Sequence, residues 1–335
     1  MTRIDRAQIK KAAEIIKSGG LVAFPTETVY GLGADALNRT ACAKIFQAKN
    51  RPLEDPLIVH VADKQDLFKV ARRVCKVTLD LIDEFWPGPL TLVLKKQEKI
   101  PDITTAGLDT VAVRMPDHKI ALSLIKEAET PIAAPSANLF GRPSPTTAQH
   151  VLEDLEGKID LVIDGGRATI GIESTIVDLT QEPFCILRPG GIGIEKLRRI
   201  IPGIQLYKKD SILSPGMYPR HYAPKAKILI VNGNGRTQAE KIKDLAQEFD
   251  LQGYRFGIMA KYENRDKYGG FNVKLFGPEN DLVACAANLF SVLRDFDKDR
   301  VDIIIAEAVK EEGLGLAIMD RLRRAQGMVT GRGEV

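Results

Sequence analysis

Short apolar runs alternate with amphipathic helical stretches along almost the whole chain, and that alternation breaks only once. Such a rhythm dictates α/β layering, because each helix has one apolar stripe to bury and a sheet is the surface that takes it. It opens with a helix running through Ile16, halted by Gly19 and Gly20, and an apolar strand from Leu21 to Phe24. Further strands are predicted at 57–61, 90–94, 111–114, 132–134, 161–163, 175–179 and 185–187, with helices near 39–48, 64–85, 117–128, 146–156 and 194–200. On this pattern the first core is complete by Leu187.

The break falls at 205–225, where SILSPGMYPRHYAPKA carries Pro215, Pro219 and Pro224 with little periodicity. Proline fixes φ and turns the residue before it away from helix, so this stretch reads as an extended connector. Its Met217, Tyr218, His221 and Tyr222 differ from a Gly/Ser spacer and predict a loop that packs on something. The alternation then restarts: strand KILIVNG, a helix at 238–249, strands RFGIMA and VKLFG, a helix at 282–296, strand DIIIAEAV and a closing helix at 317–325. Ile303 to Ala306 is apolar on both faces, as a strand covered on both sides must be. A chain of 335 residues exceeds what one core usually serves. The expected division is 1–204, a connector at 205–225, and a smaller three-layer domain at 226–335.

Charge decides little, since 48 basic against 44 acidic residues leave +4. That excess does not mark a nucleic-acid binder, and a weak RNA contact stays open. The four cysteines, Cys42, Cys75, Cys185 and Cys285, are dispersed, which argues against a disulfide framework or a zinc site. The N-terminus lacks a signal-peptide apolar core, and no run reaches the roughly 18 apolar residues of a membrane helix. The cytoplasm is the expected compartment, with no membrane partner.

Familiar nucleotide signatures are missing: there is no GxxxxGK[ST], and the glycines of GLVAFPTETVYGLGAD lack dinucleotide-fingerprint spacing. There is also no HExxH and no GxSxG. Instead, small polar and basic residues stand at the ends of short apolar strands: Pro25-Thr26-Glu27-Thr28 after Phe24, Lys49 and Arg51 ahead of Leu57, Arg114 after Val113, and Ser136 and Asn138 after Ala134. In open α/β sheets ligands bind beyond strand ends, and these residue types suit phosphate and carboxylate groups. Each has a plainer alternative. Lys49 and Arg51 can serve a helix end, Arg114 a surface ion pair, and Ser136 and Asn138 a turn.

The motifs GGLVAFPTETVYGLGADA, KNRPLEDPL, FWPGPLTLVLK, VAVRMPDH, APSANLFGRPSPTT, ESTIVDL, ILRPGGI and SPGMYPRHYAP, in this order, resemble the YrdC-like family of threonylcarbamoyl-AMP synthases in its two-domain form. The resemblance spans about residues 5–225, and residues 226–335 are similar to that form's C-terminal domain in length and strand order. One departure is Leu139-Phe140, where the family often has a small polar residue.

What the resemblance implies is a mixed twisted YrdC-like sheet domain followed by a smaller Rossmann-like α/β domain. The implied reaction condenses L-threonine, bicarbonate and ATP to threonylcarbamoyl-AMP and pyrophosphate, supplying a downstream complex that modifies tRNA. Lys49 and Arg51 would meet the phosphates and the carbamate as the catalytic pair, and Arg114 would clamp the threonine carboxylate. Thr26, His60 and Ser174 would help hold the amino acid, with a core histidine as the rival reading of His60. Ser136, Asn138 and Arg188 would contact the adenylate. Ser214, His221 and Tyr222 would form a lid, and Mg²⁺ would arrive on the triphosphate through phosphates and water, with no protein ligand set. A carbamoyltransferase of the hydrogenase-maturation type would need zinc-finger cysteine pairs, which this chain lacks; an RNA-binding module would turn over no ATP.

Overall fold

A computed structural model describes residues 5–207, 221–233 and 235–327. The chain divides into two units, the first comprising Met1–Phe140, Ser144–Thr169 and Glu173–Met217, the second Gly141–Pro143, Ile170–Ile172 and Tyr218–Val335. In chain order the first contains α1 (Arg6–Lys17), β1 (Val22–Phe24), β2 (Gly31–Asp35), α2 (Arg39–Lys49), β3 (Ile58–His60), α3 (Leu67–Val70), α4 (Lys76–Phe85), β4 (Leu90–Lys95), α5 (Asp102–Thr105) and β5 (Thr110–Arg114). There follow α6 (Lys119–Ala128), β6 (Ile132–Ala133), α7 (Ala148–Leu155), β7 (Leu161–Val162), β8 (Thr175–Asp178), β9 (Cys185–Arg188), α8 (Ile194–Leu197) and β10 (Gln205–Leu206).

These strands form one mixed sheet in the order β10-β9-β8-β4-β5-β3-β6-β2-β1-β7. Val59, Val113, Leu92 and Val177 point into the larger apolar core, shared with Ile45 and Phe46 of α2 and with Leu81 and Ile82 of α4. On α1, Ile9, Ala12, Ala13 and Ile16 recur at helical spacing and are buried with Leu124 and Ile125 of α6. Each fully buried isoleucine of this kind contributes roughly 1.5–3 kcal/mol. Asp5 caps α1 by accepting a hydrogen bond from Ala7 N, and Asn38 caps α2 by accepting one from Ala41 N.

Three features depart from the sequence pattern. The helix expected over 64–85 is interrupted: a 3-10 turn at Lys64–Asp66 and α3 end at Ala71, and α4 starts afresh. Ala71 bridges to Lys96, and Arg72 N donates to Lys95 O, so backbone groups that would continue the helix serve the sheet instead. The glycines of GLGAD form β2, antiparallel to both β1 and β6. A Cβ at Gly33 would stand 2.7 Å from the Phe24 ring and 2.8 Å from Ile132, so only glycine lets these strands approach. The core also continues past Leu187. Ile192, Leu197 and Ile204 are buried in it, and β10 pairs with β9.

The second unit contains β11 (Lys227–Val231), α9 (Gly235–Leu251), β12 (Phe256–Lys261), a 3-10 helix at Tyr262–Tyr268, β13 (Val273–Gly277), α10 (Leu282–Asp299), β14 (Ile303–Glu307) and α11 (Gly315–Gln326). Its four strands are all parallel, in the order β11-β14-β12-β13. Ile258 packs with Ile242 and Ala246 of α9, whereas at the neighbouring Gly257 a Cβ would meet Phe296 of α10. Successive strand residues face opposite ways, so helices cover both faces and the expected three layers form.

Candidate active site

A line of paired residues crosses the first unit's sheet: His60 on β3 is in register with Arg114 on β5, Arg114 with Thr91 on β4, Thr91 with Ile176 on β8, and Ile176 with Arg188 on β9. Directly opposed residues share a face, and this face is opposite the one that carries Val59, Val113 and Leu92. Five strands therefore deliver one row of mainly polar side chains.

At one end of the row, Arg114 Nε donates to Gly88 O at 3.2 Å and Nη1 to Thr28 Oγ1 at 2.8 Å. Its Nη2 lies 2.6 Å from Glu27 Oε1. Neither Glu27 oxygen has a well-aligned hydrogen bond, so this contact is an ion pair imposed by burial more than by angular fit. Thr26 Oγ1 lies 2.8 Å from Thr28 Oγ1 and donates to Val29 O at 2.6 Å, fixing the turn that presents Glu27. His60 is buried, and its pKa is pushed down to about 3, first by burial and then by the Arg114 charge; its imidazole is neutral, with Nδ1 unpartnered.

Lys49 is the last residue of α2, and Asn50 follows in the left-handed conformation at φ 52°, turning the chain before Arg51. The two cations consequently point apart. Lys49 Nζ donates to Ser136 O and Asn138 O, each at 2.5 Å, and so ties down the segment that carries both residues. Arg51 donates from Nε to Asp55 O at 3.1 Å and from Nη2 to Pro56 O at 2.8 Å, and pairs with Asp55 Oδ2 at 2.8 Å. Burial raises the Asp55 carboxyl above its usual range, opposed by the charges of Arg51, Lys49 and Arg188. Of the three, Arg51 contacts the carboxylate directly.

Beyond Thr91, Arg188 donates from Nε and Nη2 to Ser174 O, at 3.2 and 3.0 Å, and from Nη2 to Ser174 Oγ at 3.2 Å. Ser174 Oγ lies 2.7 Å from Thr91 Oγ1. Ser136 is half-buried and joins Gly31 in a β-bridge; Asn138 is buried and donates from Nδ2 to Leu139 O at 2.7 Å.

The structure thus brings Thr26, Arg114 and His60 together at one part of the row, Ser174 with Arg188 at another, and Lys49 with Ser136 and Asn138 beside Arg51. Ser214 lies outside the described residues, as do Met217, Tyr218 and Arg220. His221 and Tyr222 belong to the second unit: His221 N donates to Arg324 O at 3.3 Å, and the Tyr222 ring stacks on Phe290 at 5.6 Å with the Arg321 guanidinium 4.9 Å away. Sequence reasoning missed Thr91 and Asp55, and it had Glu27 and Thr28 only as members of the polar segment after Phe24, with no role assigned. Glu27 and Thr28 stand inside the TETVYG motif and Asp55 inside KNRPLEDPL, but no spacing rule marks them as partners of Arg114 and Arg51.

An α/β fold with cations and hydroxyls gathered near strand ends is the arrangement in which open sheets bind small ligands. The chain belongs to the Sua5/YciO/YrdC family, described as "telomere recombination", whose profile matches residues 14–190; the profile described as "threonylcarbamoyl-AMP synthase, C-terminal domain" matches 192–327. It is 47% identical to a threonylcarbamoyl-AMP synthase of Pyrococcus abyssi, covering 97% of this chain and 96% of that one. It is 45% identical to the Bacillus subtilis protein of the same name, covering 96% and 93%. Among solved structures it is similar to P. abyssi Sua5 complexed with L-threonine, with a TM-score of 0.92, 47% identity and coverage of 97% and 96%.

Proposed function

We propose that this chain is a threonylcarbamoyl-AMP synthase, converting L-threonine, bicarbonate and MgATP to threonylcarbamoyl-AMP and pyrophosphate for a tRNA-modifying complex. The observation that carries this reading is near-half identity, sustained over both units, to proteins of that name. The burial of Lys49, Arg51, Arg114 and Arg188 in the first unit, beside the buried hydroxyls of Thr26 and Ser174, supports it.

The threonine amine and bicarbonate give a carbamate and water. A carbamate oxygen then attacks the α-phosphorus, and the bond to the β-phosphate oxygen breaks as pyrophosphate leaves. Such a transfer needs positioning and charge neutralisation more than covalent help. Lys49 and Arg51 are assigned to the phosphates and carbamate, and Ser136, Asn138 and Arg188 to the adenylate. Thr26, His60, Arg114 and Ser174 are assigned to threonine. With Nε on Gly88, one Nη1 N–H on Thr28 and Nη2 beside Glu27, Arg114 keeps a second N–H on each terminal nitrogen with which to meet a carboxylate. Among the described residues no three His, Cys, Asp or Glu side chains converge to hold a metal. Mg²⁺ enters this reading as part of the nucleotide substrate, and cationic side chains supply the protein's share of neutralisation. Carbamates and acyl-adenylates are lost to water readily, and Ser214, His221 and Tyr222 are assigned, on sequence grounds, to a cover.

The test is to incubate the protein with ATP, threonine and labelled bicarbonate. Pyrophosphate and a labelled adenylate are expected, without added RNA. Equal pyrophosphate release in the absence of threonine, or production of ADP and phosphate, would overturn the assignment.

A further inference from the structure

The second unit contains a built polar crevice with no part in the chemistry above. The chain leaves β12 toward β13, whereas it leaves β14 toward α11, which packs against β11. β12 and β14 are neighbours, so between their carboxyl ends lies a point where the chain departs in opposite directions, the place where open α/β sheets bind ligands. A cavity of about 280 Å³ opens there, lined by Asn232, Gly233, Lys261, Glu279, Lys310 and Glu311 among others.

Lys261 ends β12, is only 3% exposed and lines this cavity. Three elements hold it. Gln238, in the first turns of α9, donates to Val231 O at 2.8 Å and Ala308 O at 3.1 Å, which fixes its amide and presents Oε1 to Lys261 Nζ at 3.0 Å. Glu307, ending β14 and fully buried, accepts from Lys261 N at 2.9 Å, Asn264 Nδ2 at 2.9 Å and Tyr268 OH at 2.6 Å. Its Oε2 stands 3.9 Å from Lys261 Nζ, matching the charge. Glu279, at the rim with 36% of its side chain exposed, completes the set at 3.3 Å. Glu311 is held by Arg323 at 2.6 and 2.9 Å. A chain gains little stability from burying a lysine so elaborately, since burying ions costs about as much as their pairing returns.

We propose that this crevice is a binding site for a mononucleotide, with its phosphate on Lys261 and Lys310 and its ribose hydroxyls donating to Glu279. With Glu307 and Glu311 engaged and Lys261 Nζ already bonded to Gln238 and Glu279, the groups left to meet a ligand are the third N–H of Lys261, the Lys310 ammonium, Glu279 Oε2, the Asn232 amide and the Gly233 backbone just ahead of α9. A bare polyanion would meet Glu279 as well as the lysines, and an apolar ligand would find no match in the charged lining. A phosphate joined to a cis-diol satisfies both signs at once. Gly233 has φ +138°, and a Cβ there would approach Gln238 at 3.3 Å, so glycine keeps this backbone open. The volume, about 280 Å³, falls just below the usual range of ligand pockets, about 300–1,000 Å³, so there is room for one nucleotide at most.

The test is equilibrium dialysis of the full chain with labelled AMP. Lys310→Glu and Glu279→Ala are each expected to bind one equivalent less than the unaltered protein at saturation, with ribose 5-phosphate displacing that equivalent at concentrations where inorganic phosphate does not. Lys261→Met is expected to lose the same equivalent. Should burial of an unmatched Glu307 prevent that variant from folding, the two rim variants decide. Identical stoichiometry in the unaltered protein and the rim variants would overturn the site, and equal displacement by inorganic phosphate would overturn the ribose assignment. Failure of the proposed synthase activity would show in pyrophosphate release and leave this difference in stoichiometry standing.

Discussion

Arg114 Nη2 stands 2.6 Å from Glu27 Oε1, with both side chains buried. The pair closes the Thr26–Thr28 turn, and the proposed function adds a second duty for Arg114, meeting the threonine carboxylate. Arg114→Lys keeps the charge but loses the donors to Gly88 and Thr28, so chemical denaturation should show a loss of about 1–3 kcal/mol. Apparent threonine affinity should fall about tenfold or more while ATP affinity changes little, because the planar fork is what fits a carboxylate. Equal losses for both ligands in titration calorimetry would confine Arg114 to the structural duty.

His60 yields a pH dependence with a definite sign. Its pKa in the fold is lowered to about 3, whereas an unfolded histidine titrates near 6.5. Below 6.5 the unfolded chain therefore binds a proton that the fold refuses, and stability falls as pH drops. Stability curves for the wild type and His60→Gln should diverge between pH 6.5 and 4 at up to about 1.4 kcal/mol per pH unit, the wild type losing more. Parallel curves in urea denaturation would show that the ring is protonated within the fold.

The row of His60, Arg114, Thr91 and Arg188 explains what was legible in the sequence and what was not. Arg114 ends an apolar run, so its candidacy could be read locally; His60 and Arg188 came with the family resemblance, Thr91 was not singled out, and the alternation of runs and helices gave the layered fold. That Arg114 neighbours Thr91, or that Asp55 answers Arg51, depends on strand order and on a left-handed residue at Asn50, which no local pattern encodes. β2 stayed hidden because its glycines read as a loop until Phe24 and Ile132 show why side chains are barred there. The Lys261–Glu307 pair was invisible for the same reason, since its two members end strands 46 residues apart that become neighbours only in the sheet.

Lys49 is expected to behave as an organiser as well as a cation. Its Nζ satisfies the carbonyls of Ser136 and Asn138. Lys49→Met removes that donor from both carbonyls; Ser136 O keeps Asn138 N, so the cost expected is about 1–3 kcal/mol in all. Nucleotide affinity should drop with the melting temperature, because the loop carrying Ser136 and Asn138 loosens. A variant that keeps its melting temperature and loses only turnover would show that the lysine acts on substrate alone.

Where the first unit ends is a matter of packing that a truncation can measure. Ile204 is 1% exposed within the larger core, Gln205 and Leu206 pair with Cys185 and Ile186, and Tyr207 N donates to Ile186 O at 2.9 Å. A chain shortened after Gly203 loses all of this, whereas one shortened after Tyr207 keeps it; both lose the rest of the C-terminal part equally. Removing a buried isoleucine costs about 2–5 kcal/mol, so the shorter chain should unfold at clearly lower denaturant. Ile204→Ala in the full chain should shift the midpoint in the same direction, which separates the side chain's packing from the strand's hydrogen bonds. Equal midpoints for the two shortened chains would mean that the core is already closed at Leu197 and that β10 merely lies along its edge.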